Sequence, residues 1–433
     1  MARFNLIFAL LCSIIFLIPF FRVQLQYDFR LYVGICYMLH VIYTNSILIN
    51  TNKNINLNKY LLFYLWVAFT SIFTLNFDYS MQYLNNYLFV GLFLFLTVHY
   101  INSSKRLINA SKILACSYFI QLFIVFMQYA GFKAFYLSET DNLGLNTGMK
   151  EASTGTVRYW GSFGEALDLS TYLTTVGIGV MVYLISIHKN KWITATTLCL
   201  TLFGIYLTGS RAGMSIFIAV FFIYLIREKI FSRTSFVIFT SICITLIYNI
   251  YDLFLKSDAN ISRFSQLREG DFRYVLWTKG FQIVFDSPIY GSSIGCLNYV
   301  LEKYGILADF ATTSSASGHV ENTYLTILFS TGFIGIILFF NLVRYPIRLM
   351  NKYKFIKFSK NTTNHQITKV YAYSYFSLLL CMLSEPSVGV HMRNTLLFVL
   401  ISAFIYSSII LSLKNRLNHD EIDTPKKEQL IYT

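Results

Sequence analysis

Apolar runs of about 17 to 20 residues recur from one end of the chain to the other, which is the length a helix needs to cross a bilayer. Spans are read at 4–21, 31–49, 60–75, 84–101, 113–130, 169–186, 192–208, 213–226, 235–251, 323–343, 371–387 and 394–413. Backbone N–H and C=O groups find no water in hydrocarbon, so each run must bond within itself and fold as a helix. Charged residues make up 13% of the chain, against about 25% in soluble domains. The expected fold class is an all-α integral membrane protein with about 12 transmembrane helices. Residues 1–413 form a single polytopic membrane domain, and 414–433 form a polar tail.

The first span, "MARFNLIFALLCSIIFLIPF", has the Arg3 and apolar core of a secretory signal. No small-x-small cleavage site follows it, so it is expected to stay as the first membrane helix. Six of the seven cysteines fall in apolar spans, and Cys296 falls in a long polar loop. Without a CxxC or a paired framework, neither a zinc site nor a disulfide scaffold is expected.

Basic residues orient the spans. With the N-terminus placed in the cytoplasm, the cytoplasmic segments hold 22 of the 35 Lys and Arg but only 5 of the 21 Asp and Glu. Segment 344–370 alone carries Arg344, Arg348, Lys352, Lys354, Lys357, Lys360 and Lys369 and no acid. The positive-inside rule therefore puts both termini in the cytoplasm. Topology accounts for the net charge of +14, and no nucleic-acid partner is expected. Two external loops are long, about 131–168 and about 252–322. No repeat of 20 to 50 residues is visible.

Chemistry is sought at the external ends. "YLTGSRAGM" puts Arg211 in a tight turn between two apolar spans, with Gly209 and Gly213 giving the backbone freedom. Ser210 is placed to cap the next helix. Arg211 then stands at a helix N-terminus, where N–H groups already favour an anion. Two readings stay open: an arginine that snorkels to lipid headgroups, or one that binds phosphate. In the larger loop, "DFRYVLWTKGFQIVFDSP" reads as an amphipathic helix on the outer membrane surface, begun by Asp271 and stopped by Pro288. It carries Arg273 one turn before Trp277. Arg263 and Arg268 precede it and are read chiefly as a solvated basic face.

The same loop ends in "SASGHVENTYL", where His319 and Glu321 are both able to accept a proton. The first loop ends in "TVRYWGSFGEALDLSTYL", with Arg158 beside the Tyr159–Trp160 pair. The last short external loop adds Glu385, His391 and Arg393. Arg158, Arg211, Arg273 and Arg393 thus gather on one face of a chain with neither a nucleotide loop nor a metal motif. A lipid-linked phosphate or diphosphate is the natural ligand for such a set.

At these residues the chain resembles the superfamily of bacterial O-antigen polymerases and ligases. The resemblance covers about 155–345. It rests on "RYWGSFGEALDLSTYL", similar to that family's Arg-x-x-Gly-x-Phe segment, on "GSRAGM", on "FRYVLWTKGFQIVFDSPIYGSSIG" and on "ENTYLTILFSTGFIGIILFF". Each motif alone is weak; their order and common location carry the match. The resemblance implies glycan transfer from undecaprenyl diphosphate at the periplasmic face of the inner membrane, without metal, nucleotide sugar or other cofactor. It implies that Arg211 and Arg273 engage the diphosphate, with Arg158, Ser210, Trp277, Asn322 and Arg393 as further substrate-binding candidates. Ligases of this superfamily carry His-Asn where this chain has Glu321-Asn322, with His319 two residues earlier. That departure favours a polymerase and leaves His319 and Glu321 both open as the base.

The expectation is thus an inverting, metal-independent polymerase of O-antigen or capsule repeat units. Its expected partners are an undecaprenyl-diphosphate-linked glycan, the lipid bilayer and a chain-length regulator protein. The nearest alternative is a ligase acting on a lipid A-core acceptor. A lipid-linked oligosaccharide flippase is a third reading. It is disfavoured because transporters show related halves and charges inside the spans.

Overall fold

The computed structural model describes residues 2–20, 26–44, 58–74, 76–132, 149–151, 157–163, 165–188, 190–228, 272–296, 322–354, 363–384 and 392–423. Its helices are α1 Ala2–Leu17, α2 Gln26–Thr44, α3 Asn58–Thr70, α4 Phe77–Tyr100, α5 Ser104–Tyr129 and α6 Ala166–Tyr183. They continue as α7 Lys191–Leu207, α8 Arg211–Arg227, α9 Phe272–Asp286, α10 Thr323–Lys354, α11 Thr363–Cys381 and α12 Met392–Asp423. Segments Ser80–Tyr100, Ser104–Tyr129, Ala166–His188, Thr323–Asn351 and Met392–Leu413 are each long and apolar enough to cross a membrane. Asn5–Phe20, Phe29–Thr44 and Lys191–Leu207 are shorter apolar helices. This is a largely helical, multi-pass membrane protein.

Helices sit on the expected spans except at 235–251, which lies outside the described residues. The bounds differ where polar residues extend a helix beyond its apolar core. α5 begins at Ser104 because Ser103 caps it, accepting from Arg106 N at 3.3 Å. α11 begins at Thr363, eight residues before the expected span, because its polar first half has partners. Thr368 Oγ1 donates to Ser408 Oγ of α12 at 2.9 Å, and Lys369 pairs with Glu228 at 2.7 Å. Hydropathy cannot see such partners.

α6 and residues 392–413 of α12 are buried nearly throughout, and α11 packs against both helices. α6 achieves this with small residues. A Cβ on Gly177 would stand 3.1 Å from Tyr118 Oη and 3.3 Å from the Phe217 ring, so α5 and α8 approach its backbone closely there. The peripheral helices turn apolar side chains outward, Phe119 and Phe123 on α5, Ile337 and Phe340 on α10.

Two features were not expected. The first external loop is not wholly irregular: β1 (Met149–Glu151) and β2 (Val157–Tyr159) pair antiparallel, with Lys150 opposite Arg158. And α10 is broken. Gly332, at φ 67° and ψ −170°, interrupts the helix, and the carbonyls and N–H groups released there must be bonded elsewhere. Residues from the end of the large loop do this. Phe333 N donates to Pro288 O at 2.9 Å, and Ser292 N donates to Phe329 O at 2.9 Å. Trp66 Nε1 of α3 donates to Thr331 O at 2.9 Å.

The segment 287–296 is therefore not a free loop. Ser80 Oγ donates to Ile294 O at 2.9 Å, Thr74 Oγ1 lies 2.8 Å from Cys296 Sγ, and Tyr290 stacks on Phe73 at 4.7 Å. Cys296, expected in a polar loop, is fully buried against the start of α4.

Candidate functional site

The N-termini of α6, α8, α10 and α12 and the C-termini of α5, α7 and α11 gather at one end of the bundle. Hydrogen bonds between them fix this. Thr323 N donates to Met382 O at 2.9 Å, joining the start of α10 to the end of α11. Thr174 Oγ1 of α6 donates to Gly213 O of α8 at 3.2 Å. Asn394 Nδ2 of α12 donates to Asp168 Oδ1 of α6 at 2.7 Å.

Arg211 is the first residue of α8 and is exposed. Ser210 caps the helix as its sequence suggests, with Oγ accepting from Gly213 N at 3.1 Å. The turn below it is tight because Arg158 lies across it. A Cβ on Gly209 would come within 3.2 Å of both Arg158 Cγ and Nε. Arg158 and Arg211, 53 residues apart in the chain, thus form one basic surface at a helix N-terminus.

Why Arg158 stands there follows from the residues after it. Gly161 takes φ 59°, a left-handed conformation costly for any residue with a Cβ. Its amide is clamped on both sides by Gln128 of α5: Gly161 N donates to Oε1 at 3.0 Å, and Nε2 donates to Gly161 O at 2.9 Å. Ser162 Oγ donates to Pro19 O at 2.6 Å and lies 2.9 Å from Gln121 Oε1. Phe163 then turns inward, its N–H donating to Trp160 O at 2.9 Å and its ring tilted against Tyr172. Above that ring, at 5.3 Å, lies the guanidinium of Arg393. Arg393 was expected on an external loop; it belongs instead to the first turn of α12 and is buried, 5% exposed. The Arg-x-x-Gly-x-Phe segment is therefore a bracket. It carries Arg158 at one end and Arg393 at the other.

The remaining candidates divide. Arg273 lies in the first turn of α9, just after Asp271. Trp277, one turn on, is partly exposed, and its Nε1 has no hydrogen-bond partner among the described residues. α9 is anchored separately: Gly280 receives the Phe329 ring of α10, Phe281 meets that ring edge-on at 5.4 Å, and Ile283 and Val284 are buried. The expected apolar stripe is thus split, since Phe281 and Phe285 face outward, the latter 81% exposed. Asn322 is the cap of α10. Its Oδ1 accepts from Leu325 N at 3.1 Å and its Nδ2 donates to Leu383 O at 2.9 Å. His319, Glu321, Glu385, His391, Arg263 and Arg268 lie outside the described residues.

Sequence reading gave no site role to Gln121, Gln128, Asp168 or Asn394. A signal existed for the glutamines, since two of them seven residues apart in an apolar span share one helix face. Asp168 and Asn394 gave none, because their bond joins residues 226 apart.

Chemically, two guanidinium groups beside a capped helix N-terminus suit a phosphate. Each close Arg–phosphate contact is worth at most about 4 kcal/mol before desolvation, at an effective dielectric of about 20. Among the described residues no three His, Cys, Asp or Glu side chains gather to hold a metal ion. No curated protein matches the chain. The protein-family model described as O-antigen ligase matches residues 196–340, a stretch that opens in α7 and takes in the Arg211 turn, α9 and the break in α10; over that stretch the chain is similar to the O-antigen ligase family.

Proposed function

We propose that this protein is a metal-independent, inverting glycosyltransferase that polymerises undecaprenyl-diphosphate-linked repeat units of O-antigen or capsule. It works at the periplasmic face of the bacterial inner membrane, with twelve spans, both termini in the cytoplasm and a chain-length regulator as partner. One observation carries the reading: Arg158 lies across the turn that starts α8 with Arg211. In this reading those arginines, with Arg273 of α9 and Arg393, hold the diphosphate of the donor. The acceptor hydroxyl attacks the anomeric carbon of the growing chain, His319 or Glu321 takes its proton, and the arginines stabilise the departing diphosphate. Ser210, Trp277 and Asn322 line the same site.

The description of the matching family favours a second reading, a ligase that passes the same donor to lipid A-core. The surface-polysaccharide gel of a deletion host separates the two. Core bearing a single repeat unit means polymerase. Bare core with long chains still on the lipid carrier means ligase. Units trapped on the cytoplasmic side mean a flippase, and an unchanged ladder removes O-antigen from the reading. Arg211→Ala, expressed at parental level in the membrane, is expected to abolish polymer. Normal chain length in that variant would sink the proposed role of Arg211.

A further inference from the structure

We infer that Asp168, acting through Asn394, is a positioning residue that sets the arginine surface. The inference rests on the reading of that surface as a diphosphate site. Asp168 is an acid in the first turn of α6, 6% exposed, and Asn394 is 1% exposed in the first turn of α12. Burying a carboxylate and an amide side by side at the mouth of a bundle is costly unless they bond each other. They do, at 2.7 Å. Asn394 gives up more for this bond, since its Oδ1 has no hydrogen-bond partner among the described residues. The amide is oriented to donate to Asp168.

What the bond holds is readable from its neighbours. Arg393 precedes Asn394 on α12 and lies over Phe163, and Phe163 is the inner foot of the bracket that begins with Arg158. Asp168, in the first turn of α6, follows Phe163 by five residues. The bond therefore ties together the two helix starts between which the bracket is held. If it is lost, one polar tie between the starts of α12 and α6 goes with it, and the places of Arg393 over the Phe163 ring and of Arg158 over Gly209 are expected to loosen. Asp168 itself is not asked to touch substrate. It acts on where the cations stand, and a shift of about 1 Å in such a group matters to a transferring phosphate.

The test uses the purified full-length protein in lipid nanodiscs and inorganic pyrophosphate as the probe, beside the polysaccharide ladder of complemented cells. Asp168→Ala and Asn394→Ala are each expected to weaken pyrophosphate binding about tenfold, the effect of one good hydrogen bond lost. The double variant should be no worse than the poorer single, because both remove the same contact. The exchange Asp168→Asn with Asn394→Asp restores the bond with its polarity reversed and is expected to recover binding to within about threefold. Additive losses, or an exchange variant that accumulates in the membrane yet binds as poorly as the singles, overturn the inference. So do alanine variants that bind like the parent. Where the alanine variants fail to accumulate, the exchange variant and Asp168→Asn, which keeps an acceptor for Asn394, carry the same decision. Arg211→Ala is measured in parallel. If it loses pyrophosphate while Asp168→Ala does not, the positioning role fails and the diphosphate reading stands. A parent that binds no pyrophosphate overturns both.

Discussion

Gln128 shows how one side chain decides where a cation stands. It uses both ends of its amide on Gly161, one as acceptor and one as donor. Leucine has nearly the same volume and neither function. Gln128→Leu leaves the Gly161 N–H and C=O buried without that partner, at about 1–3 kcal/mol for each unsatisfied group. The expected outcome is lower thermal stability and shorter polysaccharide chains, read by a melting curve in detergent and the gel ladder. Gln128→Glu keeps the acceptor toward Gly161 N and should lie between the two. Unchanged stability in Gln128→Leu would mean that Arg158 is held by its other contacts alone. At this scale the sequence was informative about Ser210 as a cap and Arg211 as the first residue of the helix it starts, since both places follow from neighbours in the chain. It named Arg393 but was silent about its burial, because the contact of that residue with a remote phenylalanine depends on packing.

Among the elements, α10 is the one that sequence reading misjudged most. "FSTGFIGIILFF" has the apolar content of an uninterrupted span, and a glycine inside such a span is common. Only the structure shows that Gly332 leaves the helical region and that Pro288 O and Ile289 O occupy the space its side chain would need. Gly332→Ala therefore meets two penalties, a left-handed backbone worth about 1–3 kcal/mol and a collision with the backbone of 288–289. The variant is expected to lower the melting temperature and to free the 287–296 segment, so that the buried Cys296 becomes reactive to a maleimide. A Cys296 that stays protected in Gly332→Ala would contradict this account of the break. The start of α9, by contrast, was legible. Asp271 and Pro288 bracket it in sequence, and the helix runs from Phe272 to Asp286. Its burial was not, since the faces of a short helix are decided by what docks on it, here Phe329.

For the molecule as a whole, hydropathy and charge located nearly every described helix, because a bilayer imposes its length on the sequence directly. What they left out is how the helices are joined. The centre is made of α6 and α12, whose Ser, Thr and Gly residues look unremarkable in a hydropathy profile and become decisive only where helices meet. The basic clusters predict an orientation that reporter fusions can check. A fusion after residue 413 is expected to be active only as a cytoplasmic reporter, and one within 297–321 only as an external reporter. The reverse pattern would place the arginine surface on the cytoplasmic side and end the proposed reaction there.

The break in α10 also bears on the order of assembly. Its exposed backbone groups are matched by Trp66 and by residues 288–292. All of these precede residue 323, and synthesis runs from the N-terminus. When the ribosome releases Gly332, its bonding partners have already been made. A nascent α10 that meets them on entering the bilayer need not expose its broken turn to lipid. A truncated or permuted chain that delivered 287–296 after α10 would have to insert that turn unaided.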